Sequence, residues 1–252
     1  MSLTSYPKVM TMGGGVGDYP YFMQVARGLV DGHKRLFKFG FNGDIDTAVE
    51  DIWDAGGEYT YQSSALAMTA TSGGGATDNG VEVTVQGLDA NYDEISETVT
   101  LAGSGTATTS ETYLRVYRAF VAGSQESTGD IDIANGGTTY AKIDDGEHQT
   151  LMALWTVPAG YTAYLLQTDI TAFTEQNNKF AVVWVQTREL NGVFRTQDKF
   201  ALVENTHHQQ YQVPLPIPEK TDIRIRAVGN ASSPNIELSA AMDIIYIENT
   251  AP

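Results

Sequence analysis

The chain contains no cysteine. Disulfides, thiolate nucleophiles and cysteine-based zinc sites are therefore excluded, and stability has to come from packing. Basic side chains are also scarce: 15 Lys and Arg stand against 31 Asp and Glu in 252 residues, a formal net charge of −16. A surface of that sign repels phosphate backbones, so nucleic acid is not expected as a partner. The N-terminal MSLTSYPKVMTMGGG carries one lysine and no continuous apolar run. Neither a signal peptide nor a transmembrane segment is expected there, and no membrane partner. Histidine is limited to His33, His148, His207 and His208. The last two are adjacent, and neighbours on a strand point to opposite faces, which suits no shared metal ion. A Gly-x-Ser-x-Gly pentapeptide is missing, so the serine-hydrolase elbow has no candidate.

What is present points to a folded, mostly β protein. Apolar residues make up 42% of the chain and aromatics 10%, well above the content of segments that stay unfolded. Thr, Val, Tyr, Ile and Gly are prominent, and long Lys/Glu/Leu runs are missing, a balance that favours short strands and turns. Charge is unevenly spread. Residues 61–145 hold 3 basic and 12 acidic side chains, so this third carries −9 of the −16.

Three stretches follow from the patterning. Residues 1–58 read as an extended N-terminal arm, rich in glycine and aromatics, with one short strand in KRLFKFGF that sets Lys34, Leu36 and Lys38 against Arg35, Phe37, Phe39 and Phe41. Residues 59–145 are short alternating runs punctuated by Gly, Asn and Asp. In GVEVTVQG, Val81, Val83 and Val85 share one face. In EISETVTLAG, Ile95, Glu97, Val99 and Leu101 share one, with Glu97 out of keeping there. Between these runs, Asp89, Asp93 and Glu94 fall in a connection, where carboxylates cap turns and face water. Residues 146–252 continue the theme. Pro214, Pro216 and Pro218 mark a sheet edge or a connection, and in TDIRIRAV Ile223 and Ile225 oppose Arg224 and Arg226. The expected fold is all-β: two tandem antiparallel β-sandwich domains, jelly-roll or immunoglobulin-like, with boundaries at 1–58, 59–145 and 146–252.

Candidate chemistry is thin. MGGGVGDYP has the glycines of a phosphate loop without its Gly-Lys-Ser/Thr ending. Asp44 with Asp46, and Asp130 with Asp132, would share faces if extended and offer oxygens to calcium, but neither pair continues into a helix-loop-helix calcium loop. No cofactor, metal or catalytic residue is assigned. Trp155 and Trp184, in alternating runs, read as core. Trp53, in DIWDAGG, reads as an anchor for a contact between chains.

The segments VTVQGLDANYDEISETVTLAG, TYLRVYRAFVAG and AKIDDGEHQTLMALWTVPAGYTAYLL, with FGFNGDID before them and LPIPEKTDIRIRA after, resemble a family of virion structural proteins of tailed phages over residues 33–248. The resemblance implies a non-enzymatic β protein located in the virion. Its first reading is a capsid decoration or cement protein, homo-oligomeric and bound to the major capsid protein or other virion proteins. A tail or receptor-binding component is a second reading, and a carbohydrate-binding module or enzyme a third. For the first reading, large aromatics supply contact area at low entropic cost, which nominates Tyr6, Tyr19, Tyr21, Phe22 and Trp53 as interface residues.

Overall fold

A computed structural model describes residues 19–174, 176, 178–231 and 235–250. The architecture is antiparallel β almost throughout, as the composition led us to expect. A short helix α1 (Tyr21–Ala26) precedes strands β1 (His33–Ile45) and β2 (Glu50–Asp51). Seven strands follow: β3 (Leu66–Ser72), β4 (Glu82–Leu88), β5 (Glu94–Thr100), β6 (Thr106–Tyr113), β7 (Arg115–Ala122), β8 (Ile131–Asn135) and β9 (Thr138–Ile143). The last seven are β10 (Leu154–Thr156), β11 (Tyr161–Phe173), β12 (Ala181–Arg188), β13 (Arg195–Leu202), β14 (Thr206–Ile217), β15 (Asp222–Gly229) and β16 (Ile236–Glu248).

These strands form two sandwiches. One packs the sheet β1-β16-β11-β14 against β10-β15-β12-β13, with β2 also paired to β15. The other packs β6-β3-β8-β9 against β5-β4-β7. The chain does not complete one and then begin the next. Residues 33–53 belong with 152–250 in a base sandwich, and the second sandwich is inserted between them. The expected arm of 1–58 is corrected accordingly: β1 pairs with β16 from His33↔Ile247 to Ile45↔Ile236 and is an integral strand of its own chain.

The alternation of strand side chains explains how one chain builds two cores at the crossing. Ile52 enters the base core and Trp53 the insert core. On the return pass, Ala153 and Trp155 enter the base core while Met152 and Leu154 enter the insert core. Trp53 pairs with Met152 in an isolated bridge, so the two passes are themselves a minimal ladder. Gly40 is required beside it, because a Cβ there would lie 2.3 Å from the Ala153 nitrogen and 2.6 Å from the Ile52 oxygen.

Within the insert, Val81, Val83 and Val85 are all fully buried, and Val99 and Leu101 face them, as the alternation predicts. Glu97 keeps its place on that face by spanning the sandwich edge. Its carboxylate accepts from Ser110 N (3.0 Å), Ser110 Oγ (2.8 Å) and Glu111 N (2.8 Å). Burial alone would raise its pKa, yet these donors outweigh it and hold the carboxyl below its usual range.

Candidate interaction surface

The two sandwiches meet through a buried ionic seam. Asp222, at the start of β15, is its hub. Asp222 Oδ1 accepts from Arg115 Nε of the insert (2.8 Å) and from Thr156 Oγ1 (2.6 Å), and Oδ2 accepts from Arg188 Nη2 (2.6 Å). Beside it, fully buried Asp51 accepts from Tyr59 N (2.8 Å) and lies 3.7 Å from Arg224 and 3.6 Å from Arg226. Burial pushes Asp51 up to about 6 against the pull of Arg224. Arg224 and Arg226, which the alternation sets opposite Ile223 and Ile225, are thus turned into the seam; Phe194 stacks on the Arg224 guanidinium at 3.6 Å. On the far side, Lys38 donates to the carbonyl of Tyr117, and burial drives its pKa down to about 7. Glu94 joins Lys34 (2.7 Å) and Tyr246 Oη (3.1 Å), so one carboxylate of the 89–94 connection ties the insert to the base. Asp89 caps the turn, accepting from Asn91 N (2.7 Å) and Asp93 N (2.9 Å).

Ions this dry cost several kcal/mol each to desolvate, which their pairing returns only in one geometry. The seam therefore fixes the orientation of insert on base. Its carboxylates are committed to basic side chains, hydroxyls and a backbone N–H group.

The outer surface is divided more sharply than the core. Every large apolar side chain that is exposed among the described residues lies outside the insert. They form two groups. One comprises Tyr19, Tyr21, Phe22, Met23 and Leu29 around α1, with Phe37 and Phe41 on β1. The other lies at and beyond the ends of β11, β12 and β13 and on β14: Phe173, one row past Phe41 on the same outward face, with Phe180, Val193, Val203 and Val213. By contrast, residues 59–150 carry 13 acidic and 3 basic side chains.

Of the residues nominated from sequence, Tyr6 lies outside the described residues. Tyr19, Tyr21 and Phe22 are on or beside α1 and exposed, Phe22 at 59%. Trp53 is corrected: it is 4% exposed, meets Tyr59 edge-on at 5.3 Å and donates Nε1 to the Gly57 carbonyl (3.1 Å). The strand alternation that sends Ile52 to one core sends Trp53 to the other, so it is unavailable to a partner. Trp155 is core, but Trp184 is half-buried on an outward face beneath Lys199 (5.0 Å). Of the adjacent histidines, His208 binds Asp169 (2.5 Å) and His207 stacks on Phe200 (3.8 Å), on opposite faces of β14. Asp130 is held by Lys142 (2.8 Å) and accepts from Asp145 N (2.9 Å), while Asp46 caps Ala48 N (2.5 Å).

Sequence reasoning missed Phe37 and Phe41. It registered their alternation with Lys38 but had no means of telling which face was inward. β1 is an edge strand whose inner face meets the seam, so the lysine goes in and the phenylalanines go out.

No family model matches the chain, and no curated protein matches it. Solved structures to which it is similar include infectious bursal disease virus Gt strain, at 10% identity, covering 92% of this chain and 80% of that one with a TM-score of 0.25. Another is the VP2 subviral particle of infectious bursal disease virus, at 12% identity, covering 88% and 74% with a TM-score of 0.25. At that TM-score the likeness carries no functional weight.

Proposed function

We propose that the chain is a non-enzymatic structural component of a virion, a capsid decoration protein that docks through its base sandwich and holds its acidic insert towards solvent. The supporting observation is the segregation of exposed apolar side chains from negative charge. Contiguous apolar surface marks sites that a partner covers, and a like-charged domain resists close approach while keeping the particle exterior soluble. The ionic seam fits this reading, since it makes a rigid bracket between the surface that binds and the surface that is displayed. The partner is the major capsid protein or another virion protein, in keeping with the sequence resemblance.

At the base end, the Ala172 N to Asn205 O bond (3.0 Å) draws the start of the β11–β12 loop to the β13–β14 turn. Phe173 and Phe180 flank that loop. Replacing both with serine is expected to weaken binding to purified capsids at least tenfold, about 1.4 kcal/mol, with the melting temperature little changed. Unchanged capsid binding overturns the docking assignment. Copy number per particle tests the location: a number that follows the shell subunits supports decoration, whereas a handful per particle replaces it with the tail reading.

A further inference from the structure

We infer that the outward face of the β1-β16-β11 sheet is a two-fold interface between two copies of this chain, in which α1 of each copy fills a trough on the other. This deepens the oligomeric part of the decoration reading and concerns the free protein.

The register of the sheet lays out this face in rows. His33, Ile247 and Thr162 form the first row, and Arg35, Ile245 and Tyr164 the second. α1 lies over this end: Tyr21 Oη is 2.7 Å from His33 Nδ1, Val25 is buried, and Ile245 is only 3% exposed although it points outward. At the other end the rows are Phe39, Ala241 and Asp169, then Phe41, Ser239 and Thr171. Here the centre strand carries only small side chains, with phenylalanines on one flank. The result is an open trough of about 480 Å³, with Leu151 and Glu147 at its rim.

One end of the face thus carries a raised apolar element and the other a hollow. The raised element is not satisfied by its own sheet. Val25 is spent on it, while Phe22 and Met23 are exposed at 59% and 50%. The two ends are six strand residues apart, about 20 Å. A two-fold axis lying parallel to the sheet and across the strands, at the Phe37–Asp243 row, exchanges them. Each α1 then meets the trough of the other copy, and the two helices form one layer between two sheets. That is the isologous, self-complementary pattern of a cyclic dimer, and it buries the exposed faces of both helix and sheet.

Charge agrees with this occupant. Within the face, Arg35 is paired with Asp243 at 3.0 Å, and the Asp169 carboxylate is hydrogen-bonded to the His208 ring at 2.5 Å. At the ends, Asp31 follows α1, Glu237 lies one row past the trough on the same outward face, and two further groups of opposite sign are exposed. Arg27 follows α1 and is exposed, and Glu147 stands exposed at the trough rim. The same two-fold that seats α1 brings Arg27 of each copy towards Glu147 of the other.

Sedimentation velocity on the full chain tests this. The wild type is expected to be a dimer, and Phe22→Asp and Ala241→Arg are each expected to shift it to monomer with an unchanged circular dichroism spectrum and a melting temperature that no longer rises with protein concentration. Because the chain has no cysteine, introduced thiols report directly. A mixture of F22C chains with A241C chains is expected to yield a covalent dimer on mild oxidation. A wild type that stays monomeric at its highest soluble concentration overturns the proposal, as does a mixture that gives no crosslink. An F22C/A241C double variant that closes within a monomer overturns it too. None of these readouts needs a capsid, so their failure is distinguishable from failure of the decoration reading, which particle binding measures.

Discussion

The two sandwiches are built by the same rule and finished differently. In each, alternation buries one face of every strand, and the cores are of similar character, with Val, Ile, Ala and Met at or near zero exposure. The outer faces diverge. The insert takes 13 of the 31 acidic residues in about a third of the chain and exposes no large apolar side chain among those described. The base takes 10 of the 15 basic residues and, with the α1 segment before it, every such apolar side chain among those described. Several of those base cations are not on the surface: Arg188, Arg224 and Arg226 are drawn into the seam, where Asp222 and Asp51 meet them. Core chemistry thus says little about what each sandwich does, and surface chemistry separates them.

The comparison breaks most severely at Asp222. Replacing it with alanine strands Arg115 and Arg188 in a dry junction with no counter-ion. Loss of one partner of a buried pair typically costs ~3–5 kcal/mol, and two stranded cations place this substitution near the top of that range. Urea denaturation is expected to show the loss, and to resolve the single transition into two as the insert and base uncouple. A variant that keeps one transition and wild-type stability removes the seam as the bracket.

Trp53 gives the next largest effect. Trp53→Ala empties a core position between Met152 and Tyr59 and is expected to cost about 3–4 kcal/mol. Phe22→Ala, on the exposed side of α1, is expected to leave chain stability within about 0.5 kcal/mol. Equal effects in a denaturant titration of the two variants would erase the distinction between core and contact aromatics.

Much of this was legible from residues alone, and the limits are physical. The period of two in GVEVTVQG identified the Val81, Val83 and Val85 face because turns on both sides fix the strand and no other pattern competes. The same period in KRLFKFGF identified a strand and could not assign its inward face. That choice depends on what β1 meets, namely the insert, whose Glu94 and Tyr117 lie 60 and 79 residues along the chain from the Lys34 and Lys38 they bond. Arg224 and Arg226 meet the same limit: alternation separates them from Ile223 and Ile225, but what their face meets depends on the second domain that covers it. The division into arm and tandem domains failed because β1 completes a sheet with β16, and pairing between strands so distant in sequence leaves no local mark. For the candidate contacts, the aromatic content of the first 58 residues was visible, but burial separates Trp53 from Tyr21 and Phe22 and is not a sequence property.

The smallest effect sharpens the comparison at the edge of the seam, where Lys38 of the base faces the insert. Its amine is held near pKa 7 by burial, helped by Arg118 and opposed by Asp54, whereas an unfolded lysine titrates at about 10.5. Between those values the unfolded chain binds the proton and the folded chain does not, so rising pH favours folding. Asp54, pushed up to about 7 chiefly by burial, acts in the opposite direction but has largely finished titrating above pH 8. Lys38→Met keeps most of the stem volume and removes the charge. The stability difference between wild type and this variant is therefore expected to move in favour of wild type by on the order of 2 kcal/mol between pH 7.5 and 9.5. Denaturation at those two pH values measures it, and comparing the two proteins cancels the lost bond to the Tyr117 carbonyl and the general repulsion of an acidic chain. Parallel curves would mean that water reaches the amine and that the two sandwiches are not sealed against each other on that side.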